Sequence, residues 1–274
     1  MPQFQPAIVP EAAGAVPEAA GAVPAPGWLR DGIAELVARD VAWPREVSRR
    51  MDPATARRSA VLLLFGPRPA FDDPVASTSG HRGSRAAPAG PWRAPQRPED
   101  LDLLLVRRSP TVRHHAGQVA LPGGGAEPGD HGPQSTALRE AHEETGAHPD
   151  SIDVLGVLKP LGIPVSGNVV TPVVGWWHTP GPIGPMDPAE IDLVRRVPVP
   201  LLLDPARRVR AYHPPIKGLP RETWTPGVEL DEALMWGFTG ILVTSMLSEL
   251  GWSDGLSWES AGRTDVWEWS GRSR

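Results

Sequence analysis

Residues 104–147, LLVRRSPTVRHHAGQVALPGGGAEPGDHGPQSTALREAHEETGA, decide how the chain is read. The second half predicts a helix of about three turns, because Pro133 suits the first helical position, Gly132 precedes it as cap and Gly146 ends it. At roughly 100° per residue, Glu140, Glu143 and Glu144 share one narrow sector, while Leu138 and Ala141 lie across the cylinder. One face packs and the other concentrates negative charge. Like charges at these spacings each cost about 0.2–0.5 kcal/mol. Arg139 can reach Glu143, but it is one cation against three carboxylates. Hard divalent cations take several oxygen ligands together, so Mg2+ or Mn2+ is the expected counterion. Upstream, Gly123, Gly124 and Gly125 place no side chain at three consecutive positions, which lets backbone groups come close to a phosphate or a metal. Loop and helix together predict a metal-diphosphate site. A glycine turn leading into a solvated acidic helix is the plain alternative, and neither piece decides between them alone.

The combination resembles the Nudix hydrolases, whose signature is G-x5-E-x7-R-E-U-x-E-E-x-G-U with U a bulky aliphatic residue. Gly125, Arg139, Glu140, Glu143, Glu144 and Gly146 match it in register. His131 stands where the first glutamate belongs, and Ala141 and Ala147 replace larger aliphatics. The lead-in is similar to the coenzyme A diphosphatase branch, with the pattern LLTxR(S/A)x3Rx3Gx3FPGG. Leu104, Leu105, Arg108, Ser109, Arg113, Gly117, Pro122, Gly123 and Gly124 follow it, and Val106 and Leu121 depart. In that branch the loop acid is commonly an aspartate one residue earlier, here Asp130.

The resemblance implies an α/β/α sandwich with a mixed sheet and a catalytic loop-helix-loop. It implies Glu143 and Glu144, with the Gly125 carbonyl, as metal ligands, Glu140 as a third metal ligand or as the group that orients or deprotonates water, and Arg139 as the group that holds a glutamate in position. Arg108, Arg113, Gly123 and Gly124 are the candidate substrate contacts, with Arg107 a further arginine near the loop. The implied reaction is hydrolysis of coenzyme A or an acyl derivative to adenosine 3′,5′-bisphosphate and 4′-phosphopantetheine or its acyl form. Rival readings are a Nudix hydrolase of ADP-ribose or NADH, and a Nudix-fold sensor that binds without cleaving. The four histidines His114, His115, His131 and His142 are expected at the surface.

Working outward, residues 58–66 and 102–107 are expected strands, and residues 67–99, rich in Pro, Gly, Ser and Arg, a disordered excursion between them. Residues 28–39 carry Leu29, Ile33, Leu36 and Val37 at helical spacing. Downstream, residues 152–158, 169–177, 197–203 and 209–213 are expected strands, and 188–194 and 235–250 helices. The run Val170-Thr171-Pro172-Val173-Val174-Gly175 also resembles the coenzyme A branch. Residues 1–26 hold a twofold VPEAAGA repeat, too short and proline-broken for a repeat fold, and are expected to be a disordered arm. The domain is thus expected over 27–251, with a tryptophan-containing tail at 252–274 left without assignment.

Composition narrows the partners. With 274 residues and 40% hydrophobic content a real core is possible, while 34 prolines and 29 glycines predict segments outside it. A net charge of −5 argues against a general nucleic-acid binder. The absence of cysteine excludes disulfides and thiolate chemistry. No stretch is a transmembrane helix or a signal peptide, so a cytoplasmic protein with a small-molecule nucleoside diphosphate substrate and no membrane partner is expected. A homodimer is compatible with this reading.

Overall fold

A computed structural model of the chain describes residues 28–39, 41, 43, 56–68, 97–163, 167–213, 223–253 and 258–266. The expected arm at 1–26 lies outside these residues. At the centre is β1 (Arg57–Pro67), whose run Ala60 to Phe65 is apolar on both faces, as a strand covered on both sides requires. It pairs in parallel with β7 (Asn168–Trp177) over nine registered positions, from Arg57 opposite Asn168 to Phe65 opposite Trp176. Its other edge is divided. Phe65 to Pro67 pair with the start of β2 (Leu101–Arg108), and Ser59 to Val61 pair with β4 (Gly123–Gly125). β2 also pairs with β3 (Val119–Ala120) and β8 (Ile191–Pro198), and β7 with β5 (Ile152–Val157) and β6 (Leu161–Ile163). All pairings in this eight-stranded sheet except β1 with β7 are antiparallel, so the sheet is mixed.

Two apolar layers follow from strand alternation. On one face Leu62, Leu64, Leu104, Val173 and Trp177 pack on Ala137 and Ala141 of α2 (Pro133–Thr145). On the other, Leu63, Phe65, Leu103, Leu105, Val174 and Trp176 pack on Leu29, Ile33 and Leu36 of α1 (Trp28–Ala38) and on Leu242, Val243 and Met246 of α4 (Gly237–Glu249). This is the expected α/β/α sandwich. The two alanines that replace larger aliphatics, Ala141 and Ala147, are fully buried in the cluster that contains Trp177, whose indole occupies volume there.

Several expected elements change type. Residues 188–194 are not a helix: Asp187 caps only a turn, with its carbonyl accepting from the Glu190 and Ile191 amides, and the chain then enters β8. The residues 199–203, expected as a strand, form the short helix α3 (Val199–Leu203) with Pro200 in its first turn. A second sheet, in the order β11 (Ala233–Met235), β10 (Thr223–Leu230), β9 (Arg208–His213) and β12 (Gly262–Asp265), is mostly new. Of it, only β9 was expected. β12 comes from the unassigned tail and runs parallel to β9, and the buried Trp258 before it stacks on Arg208 at 5.4 Å.

The ends of the expected 67–99 excursion are part of the fold. Pro67 pairs with Leu101, and Pro98–Asp100 form a 3-10 turn. Asp102, buried, meets Arg68 at 3.3 Å and Arg196 at 3.2 Å. Arg68 also donates to the Glu99 carbonyl, so residues on both sides of the excursion are tied together at its root. The rest of that stretch, 69–96, lies outside the described residues.

Candidate active site

Helix α2 forms as its sequence dictates. Pro133 occupies the first turn, and Gly146 takes a left-handed conformation at φ 77°, its amide donating to the His142 carbonyl. Ala137 and Ala141 face the sheet, which turns Glu140 and Glu144 toward β4 and leaves Glu143 outside. The three glutamates differ in environment. Glu143 is 56% exposed. Glu140 is half-buried, and burial raises its carboxyl above the usual range against the opposing pull of Arg139. Glu144 is 7% exposed, and burial pushes its carboxyl up to about 8, although the Gly123 amide donates to Oε2 at 3.0 Å and works the other way.

The glycines serve closeness of packing. A methyl group on Gly123 would overlap the Ala60 carbonyl and Val61 across the β1–β4 pairing, and one on Gly124 would overlap the Glu140 carboxylate. Gly123 and Gly124 are thus required by β1 on one side and the helix acid on the other, whereas a methyl group on Gly125 would meet nothing within 4 Å.

Arg139 is the hub. Its guanidinium donates to both oxygens of Asp130 at 3.2 and 3.0 Å, to Glu140 Oε1 at 3.1 Å, to Glu143 Oε2 at 3.0 Å and to the Gly125 carbonyl at 2.9 Å. Asp130 also accepts from the Glu127 amide and the Thr136 hydroxyl, and with Arg139 first among these partners its carboxyl is held well below the usual range. Asp130, and not His131, is therefore the acid that closes the loop onto the helix. His131 is exposed, as are His114, His115 and His142.

The candidate arginines separate. Arg107 is committed to Asp192 through two parallel bonds of 2.8 and 2.9 Å. Arg108 has one long contact, Nη2 to Glu190 Oε1 at 3.4 Å, and its charge acts on Glu144. Arg113 stands exposed in the connection between β2 and β3, and none of the hydrogen bonds or ion pairs described for the site includes it. Glu190 is the residue that sequence reasoning missed. It precedes β8, and its charge acts on both Glu140 and Glu144. The misread helix over 188–194 hid it.

These residues define a class of site. Asp130, Glu140 and Glu143 share one arginine, and Glu144 is buried beside them with a single amide bond, so hard oxygen donors outnumber the cations that face them. That donor set fits a hard divalent ion such as Mg2+ or Mn2+. Among the described residues no three His, Asp or Glu side chains are already gathered as a ligand cluster, since Arg139 holds Glu140 and Glu143. The glycine strand laid against the helix brings backbone groups and carboxylates together at one place.

Comparison with known proteins agrees. A family model described as the NUDIX domain matches residues 92–216. A relative described as "Uncharacterized Nudix hydrolase NudL" from Pectobacterium atrosepticum is 59% identical over 73 residues, 27% of this chain and 38% of the relative. Its counterpart from Cronobacter sakazakii is 36% identical over 159 residues, 57% of this chain and 78% of the relative. The solved Nudix hydrolase RenU of M. smegmatis overlaps 52% of this chain and 70% of its own at 22% identity, with a TM-score of 0.33. The chain belongs to the Nudix hydrolase family. No helix among the described residues is long and apolar enough to cross a membrane.

Proposed function

We propose that this protein hydrolyses the diphosphate of coenzyme A or an acyl-coenzyme A. The products are adenosine 3′,5′-bisphosphate and 4′-phosphopantetheine or its acyl form. The observation that carries the reading is the position of Arg108. The lead-in motif that resembles the coenzyme A branch runs through β2 toward the glycine strand, and its first arginine, Arg108, keeps a single long contact, to Glu190 at 3.4 Å, so its guanidinium has donors left for a phosphate.

Glu143 and Glu144, with the Gly125 carbonyl, would hold Mg2+ or Mn2+, and Glu140 would be either a third ligand or the group that takes the water's proton. When bound, the ion supplies charge neutralisation on the diphosphate and makes water a better nucleophile. In the second role Glu140, whose proton affinity is raised by burial, would take a proton from the attacking water. The water oxygen bonds to phosphorus, the bond to the bridging oxygen breaks, and the leaving phosphate keeps the electron pair. Arg139 holds Glu140 and Glu143 and, through Asp130, fixes the loop. Arg108 and Arg113 are the arginines that would meet substrate phosphates, and Gly123 and Gly124 would offer backbone groups only.

Incubating the purified protein with magnesium and a panel of coenzyme A, acetyl-coenzyme A, ADP-ribose and NADH, with products identified by mass, tests the reading. Adenosine 3′,5′-bisphosphate as the main product from the fastest substrate is expected. Faster cleavage of ADP-ribose or NADH would replace coenzyme A as the substrate, and binding without any cleavage would make the protein a sensor.

A further inference from the structure

Two adjacent arginines of β2 have different neighbours because the strand pairing slips between them. Along β2 and β8, Arg107 lies opposite Leu193 and Arg108 opposite Ile191, so Asp192 is the extra residue of a bulge. Bulges redirect side chains next to functional sites. Here Asp192 takes Arg107 through two short bonds, and Arg108 is left beside Glu190, the residue just before β8. The backbone of Glu190 is fixed on both sides: its carbonyl accepts from the Ser109 amide at 2.7 Å, and its amide donates to the Asp187 carbonyl at 3.0 Å. Among the described residues its side chain, 54% exposed, reaches only Arg108 Nη2, at 3.4 Å. Arg108 itself is mostly covered, and its buried Nε has no hydrogen-bond partner among the described residues. A guanidinium with a single long contact keeps most of its fork for another anion, whereas one spent like Arg107 does not.

We propose that Glu190 is a positioning residue for the diphosphate site: the segment before it is docked on the end of α2, where the Met186 amide donates to the Glu144 carbonyl at 3.3 Å, and its carboxylate holds the Arg108 guanidinium so that its remaining donors meet a substrate phosphate. The inference rests on the diphosphate reading above and adds to it a residue outside the family signature and outside the lead-in motif. Glu190 does not touch substrate; it acts through Arg108.

A double-mutant cycle tests this, using the parent, Glu190→Gln, Arg108→Ala and the double variant. The substrate is whichever of coenzyme A and ADP-ribose the parent cleaves faster. Glu190→Gln is expected to raise KM roughly two- to fivefold, the scale of one partly exposed ion pair, and to leave kcat within about 1.5-fold. Arg108→Ala is expected to raise KM further, and the double variant to match Arg108→Ala alone. Affinity for methylenediphosphonate, measured by calorimetry, is expected to follow the same order without turnover. A fall in kcat at unchanged KM would place Glu190 on the reacting water and overturn the proposal. A lowered KM would make it a competitor for Arg108, and additive effects would show that it does not act through Arg108; either overturns the proposal. Preference for ADP-ribose removes only the coenzyme A reading. Absence of turnover with either substrate removes the hydrolase reading, and the diphosphonate titration still decides the coupling.

Discussion

Glu144 is both the most buried of the three helix acids and the one without an arginine bond. Replacing it by glutamine keeps an oxygen to accept from the Gly123 amide and removes a charge that burial disfavours. Glu144→Gln is therefore expected to abolish turnover at saturating magnesium while leaving the folded protein as stable as the parent or more so. Turnover within about threefold of the parent would remove Glu144 from the metal set. The pH dependence gives an independent check. The unfolded glutamate loses its proton near 4.5 and the folded one near 8, so between these values the folded state carries the extra proton. Stability of the metal-free protein should then fall as pH rises from about 5 to 8, and that part of the fall should be missing in Glu144→Gln. Melting temperatures in EDTA at the two pH values measure it. Asp130 gives a sharper contrast. Asp130→Ala releases Arg139 from its two-oxygen anchor and is expected to lower kcat/KM by about tenfold or more, whereas the exposed neighbour changed by His131→Ala should leave it within about twofold. Equal effects at the two positions would refute the exchange of the signature glutamate for Asp130.

At the scale of elements, what was legible followed from strong local signals. Helix α2 was readable from Pro133, Gly146 and the packing alanines, and β1 and β7 from long apolar runs. The failures have physical causes. Asp187 and Pro188 imitate a helix start, but the turn they make ends in a strand whose pairing with β2 wins over the local signal. Val199 to Leu203 is an apolar run too short for periodicity to separate helix from strand. β10 contains Pro226 and Gly227, residues that argue against a strand, yet Gly227 leaves room for Val209 and Ala211 of β9, and the Pro226 carbonyl lies against Gly240 of α4. The site was legible in its helix and glycines and hidden in Glu190, because a carboxylate brought in by a distant strand leaves no spacing to find. The excursion offers a test at this scale. With Arg68, Asp102 and Arg196 retained, replacing 69–96 by a short turn should change unfolding free energy by no more than about 2 kcal/mol and leave activity intact, since loop-closure entropy varies only logarithmically with length. Urea unfolding of the shortened protein measures it, and loss of both folding and activity would show that the segment packs on the domain.

For the molecule as a whole, the second sheet extends the domain beyond residue 251. Removing residues 254–274 would take away Trp258 and β12 and leave the outer edge of β9 unpaired. Such a truncation is expected to lower the urea midpoint and to promote self-association, because an open strand edge pairs with other chains. Light scattering with urea titration checks both, and an unchanged midpoint would show that the tail only rests on the surface. The parallel pairing of β1 with β7 bears on how the protein is made. More than a hundred residues separate Arg57 from its partner Asn168, and the glycine strand that docks on the other edge of β1 also lies downstream. On a ribosome the segment AVLLLF would wait on the order of ten seconds for β7 to emerge, with one edge open and both faces apolar. The catalytic loop has no finished strand to lean on until then. The site is thus completed late, and because α4 covers the second apolar face of the sheet only after residue 237, the nascent chain is expected to need chaperone protection from roughly its sixtieth to its two-hundred-and-fiftieth residue.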